Sequence, residues 1–343
     1  MLIYDLSFEQ LVNWVKEHGE KPYRARQIWH FLYQLKVSTF EEMHNLPQNL
    51  IDALNETYKL NALEFVLKSV STDGTVKQLY SVHDGHLIEA VLMKHHYGNS
   101  ICVTTQVGCN IGCSFCASGQ LQKKRDLTAG EIIAQIIETE RQLEEKIQYI
   151  VVMGIGEPFD NYKNLTTFLK TVNDPKGLSI GARHITVSTS GIVPKIKAFA
   201  ELGIQVNLAV SLHAPNDEIR TSLMNINKAY NVDRVLEAVR EYLKITKRRV
   251  TFEYIMIQEL NDSVEVAKEL AEKIKGMNAY VNLIPYNEVI EAPYKRSDRA
   301  RMEAFYDVLK KHKIQVTLRK EQGHDINAAC GQLRSQHAQK EML

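Results

Sequence analysis

Along the chain the spacing of apolar residues changes twice. The first stretch has a helical period. Ser7 and Gln10 form a capping box ahead of FEQLVNWVKEHG, in which Phe8, Leu11 and Val15 share a face. A second helix, YRARQIWHFLYQ, places Ile28, Phe31, Leu32 and Leu35 on one side, with Arg24, Arg26 and Gln27 near its start. NLPQNL then interrupts, with Pro47 as a breaker. From about residue 60 the pattern shortens to strand-like runs, KQLYSVHDG and HLIEAVLMKH, punctuated by Asp84-Gly85 and Gly98-Asn99. An Asp-Gly pair between such runs predicts a hairpin. Beyond residue 100 the runs ICVTTQV, YIVVMGIG, HITVSTSG, VNLAVSLHA, VTFEYIMI, YVNLIPYN and IQVTLRK alternate with helical stretches. One of these, LTAGEIIAQIIETERQL, opens on a second capping box, Thr128 with Glu131. Such alternation predicts βαβ units and a parallel sheet or barrel. The expected organisation is a helical accessory domain over 1–60, a short β region over 61–98 and an α/β domain over 99–343.

Composition narrows the picture only a little. With 343 residues, 44% of them hydrophobic, the chain can bury a large core without disulfides or structural metal. Forty-two basic against 41 acidic residues leave a net charge of +1, so any RNA-binding surface must come from local clusters. Candidates are Lys123-Lys124-Arg125, Lys247-Arg248-Arg249, Arg296 to Arg301 and the basic residues of the first helices. The opening MLIYDLSFEQ does not read as a signal peptide, and no run approaches the ~18 apolar residues of a membrane span. Five cysteines, odd in number and unevenly spread, argue for a reducing cytoplasm, where clustered thiols bind metal or perform chemistry.

Three of the five lie in GCNIGCSFCASG: Cys109, Cys113 and Cys116, spaced C-x3-C-x2-C directly after an apolar strand. Gly108, Gly112 and Ser114 let such a loop wrap closely around a bulky inorganic group. Structural zinc would want a fourth Cys or His nearby, and none stands at the usual spacing. Three thiolates can instead hold a [4Fe–4S] cluster with one iron open to an outside ligand. Later strands also end in small or polar groups, at the end of a βα unit where chemistry sits in α/β folds: Gly156-Glu157-Pro158, Ser188, Ser211-Leu212-His213 and Asn287. Each of these also suits a plain capping role.

The cysteine spacing resembles the signature of the radical S-adenosylmethionine (SAM) superfamily, and GIGEP is similar to its "GGEP" element. The resemblance implies a partial (β/α)6 TIM-like barrel. It implies that SAM is the last ligand of the cluster, with Gly156, Glu157, Ser188, Ser211, Leu212, His213 and Asn287 around it. The other two cysteines sharpen the match. Cys102 lies seven residues before Cys109, and Cys330 lies in DINAACGQL near the C-terminus. With GEPFDNY, STSGIVP, VNLAVSLHAP and VNLIPYN in order, nearly the full chain resembles the radical SAM methyltransferases that act on carbon 2 of adenosine in bacterial 23S rRNA, some of which also act on tRNA. Asn327 stands where the common tail motif has Asp.

That resemblance implies a chemistry for each remaining site residue. Cys330 takes a methyl group from one SAM, and a second SAM yields the radical that activates this S-methyl group for addition to carbon 2. Cys102 resolves the protein–RNA adduct through a disulfide with Cys330. Glu89 corresponds to a proton acceptor, although in HLIEAVLM it also reads as a surface-facing strand carboxylate. Partners implied are 23S rRNA, tRNA and a flavodoxin- or ferredoxin-type electron donor, with the protein itself a monomer. Two other readings remain at this point: a carbon-8 methyltransferase of the same rRNA adenosine that confers antibiotic resistance, and a non-catalytic Fe–S or zinc RNA-binding protein. Pro158 and Pro285 favour the carbon-2 family over its carbon-8 relative.

Overall fold

The computed structural model describes residues 1–289 and 292–333; the last part of the expected 99–343 segment, 334–343, lies outside the described residues. Helix α1 (Phe8–Glu17) starts at the Ser7–Gln10 capping box, the Gln10 N–H donating to Ser7 Oγ at 3.2 Å and the Ser7 N–H to Gln10 Oε1 at 2.8 Å. Helix α2 (Tyr23–His30) runs on into a π-turn over Phe31–Leu35, closed by Lys36 in the left-handed region. A π-turn takes one more residue per turn than an α-helix, so it rotates the apolar stripe. Leu35, expected on the buried side, is consequently 56% exposed. Pro47 starts a helix rather than merely breaking one. It precedes α3 (Gln48–Thr57), and its carbonyl accepts from the Leu50 and Ile51 N–H groups.

Strands β1 (Leu63–Val70), β2 (Val76–Val82) and β3 (Leu87–His95) form an antiparallel meander, with Asp84-Gly85 in the β2–β3 turn. Strand β4 (Gly98–Cys102) pairs antiparallel with β3 on one side and parallel with the barrel on the other, so the 61–98 region continues the barrel's own sheet. ICVTTQV is not one strand. Gln135 clamps both backbone groups of Thr104, its Oε1 accepting at 2.8 Å and its Nε2 donating at 2.9 Å, and the chain leaves the ladder there. It resumes as β5 (Gln106–Val107), paired antiparallel with β6 (Arg125–Asp126).

The barrel then alternates as α4 (Ala129–Leu143), β7 (Ile147–Val152), α5 (Tyr162–Asn173), β8 (Ile185–Thr189), α6 (Val193–Ala200) and β9 (Asn207–Ser211). It continues through α7 (Asp217–Leu223), α8 (Val232–Thr246), β10 (Val250–Met256), α9 (Val264–Lys273), β11 (Ala279–Pro285), α10 (Arg299–Lys311) and β12 (Gln315–Leu318). One ten-stranded sheet results, in the order β1-β2-β3-β4-β7-β8-β9-β10-β11-β12 and parallel from β4 onward. Six helical crossovers join its seven parallel strands, giving an open (β/α)6 barrel with an extra strand.

The two faces of these strands differ. Ile150, Val152, Val187, Leu208, Val210 and Phe252 point outward into the core shared with the helices. The alternate positions face the barrel interior and include Thr186, Ser188, Asn207, Ser211, Thr251 and Glu253. Closed (β/α)8 barrels fill this space with bulky branched side chains. Polar residues here leave room for ligands.

Candidate active site

The loop from Gly108 to Lys124 is closed at its base by the β5–β6 pair, and the Cys109 N–H donates to the Leu121 carbonyl at 3.0 Å. Gly108, at φ +76°, is required: a Cβ there would stand 2.4 Å from the Gln122 carbonyl oxygen. Cys109, Cys113 and Cys116 line one cleft with Gly156, Glu157, Ser188, Ser211 and His213. The cleft is open to solvent, with about 930 Å³ of non-atom space within its walls and mouth. Among the described residues no three His, Cys, Asp or Glu side chains converge on a single metal ion. A four-iron cluster is wider than one ion, so thiols arranged around a shared cleft suit it better than they suit zinc. Burial raises all three thiols, Cys109 to about 12, and neighbouring cysteines add to the rise. A cationic guest would reverse that, since ligation requires the thiolates.

Strand ends supply the rest of the cleft. Gly156, at φ +104°, brings the backbone against Gln106, whose Oε1 accepts from the Glu157 N–H at 2.8 Å. The buried Glu157 accepts the N–H groups of Ser190 at 2.7 Å and Phe159 at 3.0 Å. Burial still pushes its carboxyl up against those hydrogen bonds, which leaves it receptive to an ammonium. Ser190 Oγ, also buried in the cleft wall, lies close enough to Glu157 to help lower its carboxyl. Ser188 and Ser211 face each other with hydroxyls 3.5 Å apart. His213 Nδ1 accepts from the Ile255 N–H at 3.1 Å, and burial lowers its pKa to about 3, so the ring is neutral with its proton on Nε2. Leu212 does not face the cleft. Its side chain lies in the core, and its carbonyl accepts from Arg220 at 3.1 Å.

A second pocket adjoins the cleft and shares Cys116, Met153, Arg319 and Cys330 with it. Register builds its floor. Lys77 on β2, Val91 on β3, Cys102 on β4 and Val151 on β7 are consecutive cross-strand partners and therefore share a face. Glu89 is two residues from Val91 on that same face and is 3% exposed. The expectation of a surface-facing carboxylate is thus corrected: β3 is covered on both sides, because the C-terminal loop packs over its inner face. Lys77 Nζ stands 3.5 Å from Glu89 and also donates to the Asn327 carbonyl.

That loop carries Cys330 and is pinned at both ends. Asp325 accepts from Ser71 and Thr72, and Asp73 accepts from the Gly323 N–H. At the other end the Gly331 carbonyl accepts from the cluster loop's Ala117, and the Leu333 carbonyl from Ser118. Asn287 lies in this pocket, its Nδ2 donating to the Cys330 carbonyl at 3.1 Å. Arg319 Nη1 donates to Cys330 Sγ at 3.2 Å. Burial, reinforced by the nearby Cys330, raises the Cys102 thiol to about 12. All five cysteines are free thiols in this structure.

The comparisons agree with this geometry. Residues 103–271 match the radical SAM superfamily model, and residues 2–60 match the N-terminal domain of ribosomal RNA large subunit methyltransferases. A protein of Acholeplasma laidlawii described as a probable dual-specificity RNA methyltransferase RlmN is 64% identical over 98% of this chain and 100% of its own. The chain belongs to the RlmN family. An RlmN of Enterococcus faecalis, again so described as probable, is 56% identical over 99% of this chain and 98% of its own. The crystal structure of a radical SAM methyltransferase from Sphaerobacter thermophilus superposes with a TM-score of 0.95 at 42% identity, covering 98% of this chain and 100% of that one. As a radical SAM protein of the RlmN family, the chain is an enzyme that uses SAM and a [4Fe–4S] cluster.

Sequence reasoning passed over three charges of this RlmN-family site, two of them buried and Arg319 half-buried. Arg319 sits between the two cavities. Glu253 lines the cleft, raised by burial against the pull of Arg319, and accepts from Asn282 at 2.8 Å. Arg220 is fully buried and ties together the carbonyls of Ser190, Ser211 and Leu212 at the ends of β8 and β9. A charge inside the apolar run VTFEYIM and an Arg at the end of the last strand were the available signals.

Proposed function

We propose that the enzyme methylates carbon 2 of an adenosine in 23S rRNA, at the peptidyl-transferase centre, and the adenosine 3′ of the anticodon in tRNA, using an S-methyl group carried on Cys330. The observation that carries this reading is the position of Cys330, which lines both the three-cysteine cleft and the pocket that contains Cys102. Cys109, Cys113 and Cys116 would hold the cluster, with Glu157 aimed at the ammonium of SAM. When bound, the cluster and SAM supply one-electron chemistry that removes a hydrogen atom from the methyl group on sulfur. Cys330 first takes that methyl from another SAM as a thiolate nucleophile, so two SAM are used per turnover. Arg319 holds the sulfur in place by its hydrogen bond. The carbon on Cys330 then bonds to carbon 2, which lies between two ring nitrogens and is too electron-poor to attack an electrophilic methyl itself. Glu89, on the pocket face of β3, accepts the proton released from carbon 2. The adduct's unpaired electron would pass to the one-electron chemistry that the bound cluster supplies. Cys102 stays a neutral thiol until then, when its sulfur attacks Cys330 Sγ, the disulfide forms as the sulfur–methylene bond breaks, and the thiol's proton goes to the methylene carbon to complete the methyl group.

The N-terminal helical domain, 1–60, would contact the RNA, and a flavodoxin- or ferredoxin-type protein would supply electrons to a monomeric enzyme in the cytoplasm. The test is incubation of the reduced enzyme with SAM and an rRNA fragment, followed by nucleoside mass spectrometry. 2-Methyladenosine supports the reading, and 8-methyladenosine alone refutes its regiochemistry.

A further inference from the structure

At the end of the barrel opposite the cleft, the parallel strands begin around a solvent-open cup that contains Arg183, Arg248 and Arg249 and no Asp or Glu. Three guanidinium groups share this cup in a chain whose net charge is only +1. Neutral amides orient them. Arg183 Nε donates to Gln205 Oε1 at 3.1 Å, Arg248 Nη2 to Asn207 Oδ1 at 2.7 Å, and Arg249 Nη1 to Gln315 Oε1 at 3.1 Å. Asn207 also donates to the Arg183 carbonyl at 2.8 Å and so links two of the three arginine segments. Each guanidinium has five N–H donors, of which these bonds use one, Arg249 also lies 5.0 Å over the Tyr280 ring, and among the described residues no carboxylate lines the cup. Thr186, Thr251 and Asn278 complete a polar lining.

Aromatic rings adjoin the cup at the same end of the sheet. His95 and Tyr97 stack with centroids 4.7 Å apart and planes at 8°. Tyr97 meets Tyr149 edge-on at 5.2 Å, and Tyr149 meets His184, the neighbour of Arg183, at 4.5 Å. Tyr97 is 54% exposed. Oriented arginines next to exposed aromatic faces are the pairing with which single-stranded nucleic acid is held, by phosphate contacts and base stacking.

We infer that this cup is a phosphate site that takes a backbone phosphate of the RNA substrate, a strand's length (roughly 17 Å for five residues) from the methylating cleft. The inference rests on the RNA-methylating reading above and deepens it: the substrate must be a folded RNA large enough to reach both ends of the barrel, not only the strand around the target base. None of the three arginines belongs to the cleft or to the Cys330 pocket.

The test compares wild type with R183Q/R248Q/R249Q, using an in vitro transcribed 23S rRNA fragment and, separately, inorganic phosphate. RNA affinity is measured over a range of salt concentrations. Methylation of Cys330 by SAM without RNA, read by mass spectrometry of the protein, reports that the variant is folded, and R183K/R248K/R249K restores charge without the guanidinium forks. The inference predicts that the slope of log affinity against log salt falls by about 0.7 to 0.9 in the glutamine variant, the amount that one lost phosphate contact removes, and recovers in the lysine variant. Cys330 methylation is expected to stay at the wild-type level. An unchanged slope with RNA bound overturns it. Loss of inorganic phosphate binding with an unchanged RNA slope also overturns it, assigning the cup to a free anion. A wild type that bound no RNA at any salt would instead refute the functional reading beneath it, which is a different result.

Discussion

The cleft around Cys109, Cys113 and Cys116 and the pocket around Cys102 touch the same Cys330, yet they are built in opposite ways. The cleft takes its thiols from one short loop and its polar groups from successive strand ends. The pocket is assembled across the chain: Val91 and Met93 from β3, Cys102 from β4, Val151 from β7 and Ala328 to Cys330 from the C-terminal loop. Burial in the pocket keeps Cys102 a neutral thiol, whereas the cleft gathers Cys109, Cys113, Cys116, Glu157, His213 and Glu253 around one space. The difference separates two tasks. On the proposed reading one cavity would generate a reactive species and the other would receive the base, with Cys330 serving both.

Cys330→Ala separates the two most sharply. Methylated RNA and S-methylcysteine are expected to fall to background while reductive SAM cleavage, read as 5′-deoxyadenosine, continues. Loss of both activities together would merge the cavities into one function. Cys102→Ala should stall the reaction after carbon 2 is attacked. A covalent protein–RNA species is then expected on denaturing gels, with free methylated RNA cut to a small fraction of wild type. Arg319→Met removes a charged hydrogen bond, commonly worth ~1.5–3 kcal/mol, and should slow methylation of Cys330 by roughly 10- to 100-fold. Arg319→Lys is expected to recover part of that rate, which a purely packing role would not allow.

The smallest effect belongs to the cleft alone. His213 has a folded pKa of about 3, below its ordinary 6.5, so the unfolded chain binds the extra proton between these values. Its contribution to stability is present above pH 6.5 and is lost progressively as pH falls toward 3. The slope it adds is at most one proton, ~1.4 kcal/mol per pH unit. Denaturant titrations of the apo-protein across that range should show it, and His213→Gln should remove it.

Legibility followed the same division. The three-cysteine loop, the Gly156-Glu157 turn and the alternation of strands with helices could be read because each depends on residues near one another in sequence. Both capping boxes formed as written. What escaped was set by register and long-range packing. The surface-facing alternative for Glu89 stayed open because alternation alone cannot show that the C-terminal loop covers its strand. ICVTTQV read as continuous because the amide that interrupts it, Gln135, lies on the following helix. Arg220 gave no local signal and Arg319 only its place at the end of the last strand, since a lone arginine usually lies at the surface, and only the folded barrel shows what surrounds them. Leu35 was lost to a π-turn that propensity does not announce.

The central claim is that Cys330 carries a methyl group destined for carbon 2 of adenine. Its most direct test starts from enzyme whose Cys330 has been methylated with isotopically labelled SAM and then separated from it. This enzyme is reduced, given unlabelled SAM and an rRNA fragment for a single turnover, and the RNA is digested for nucleoside mass spectrometry. The account predicts 2-methyladenosine bearing the label that was on the protein. Unlabelled 2-methyladenosine, or label appearing only in 8-methyladenosine, would contradict it.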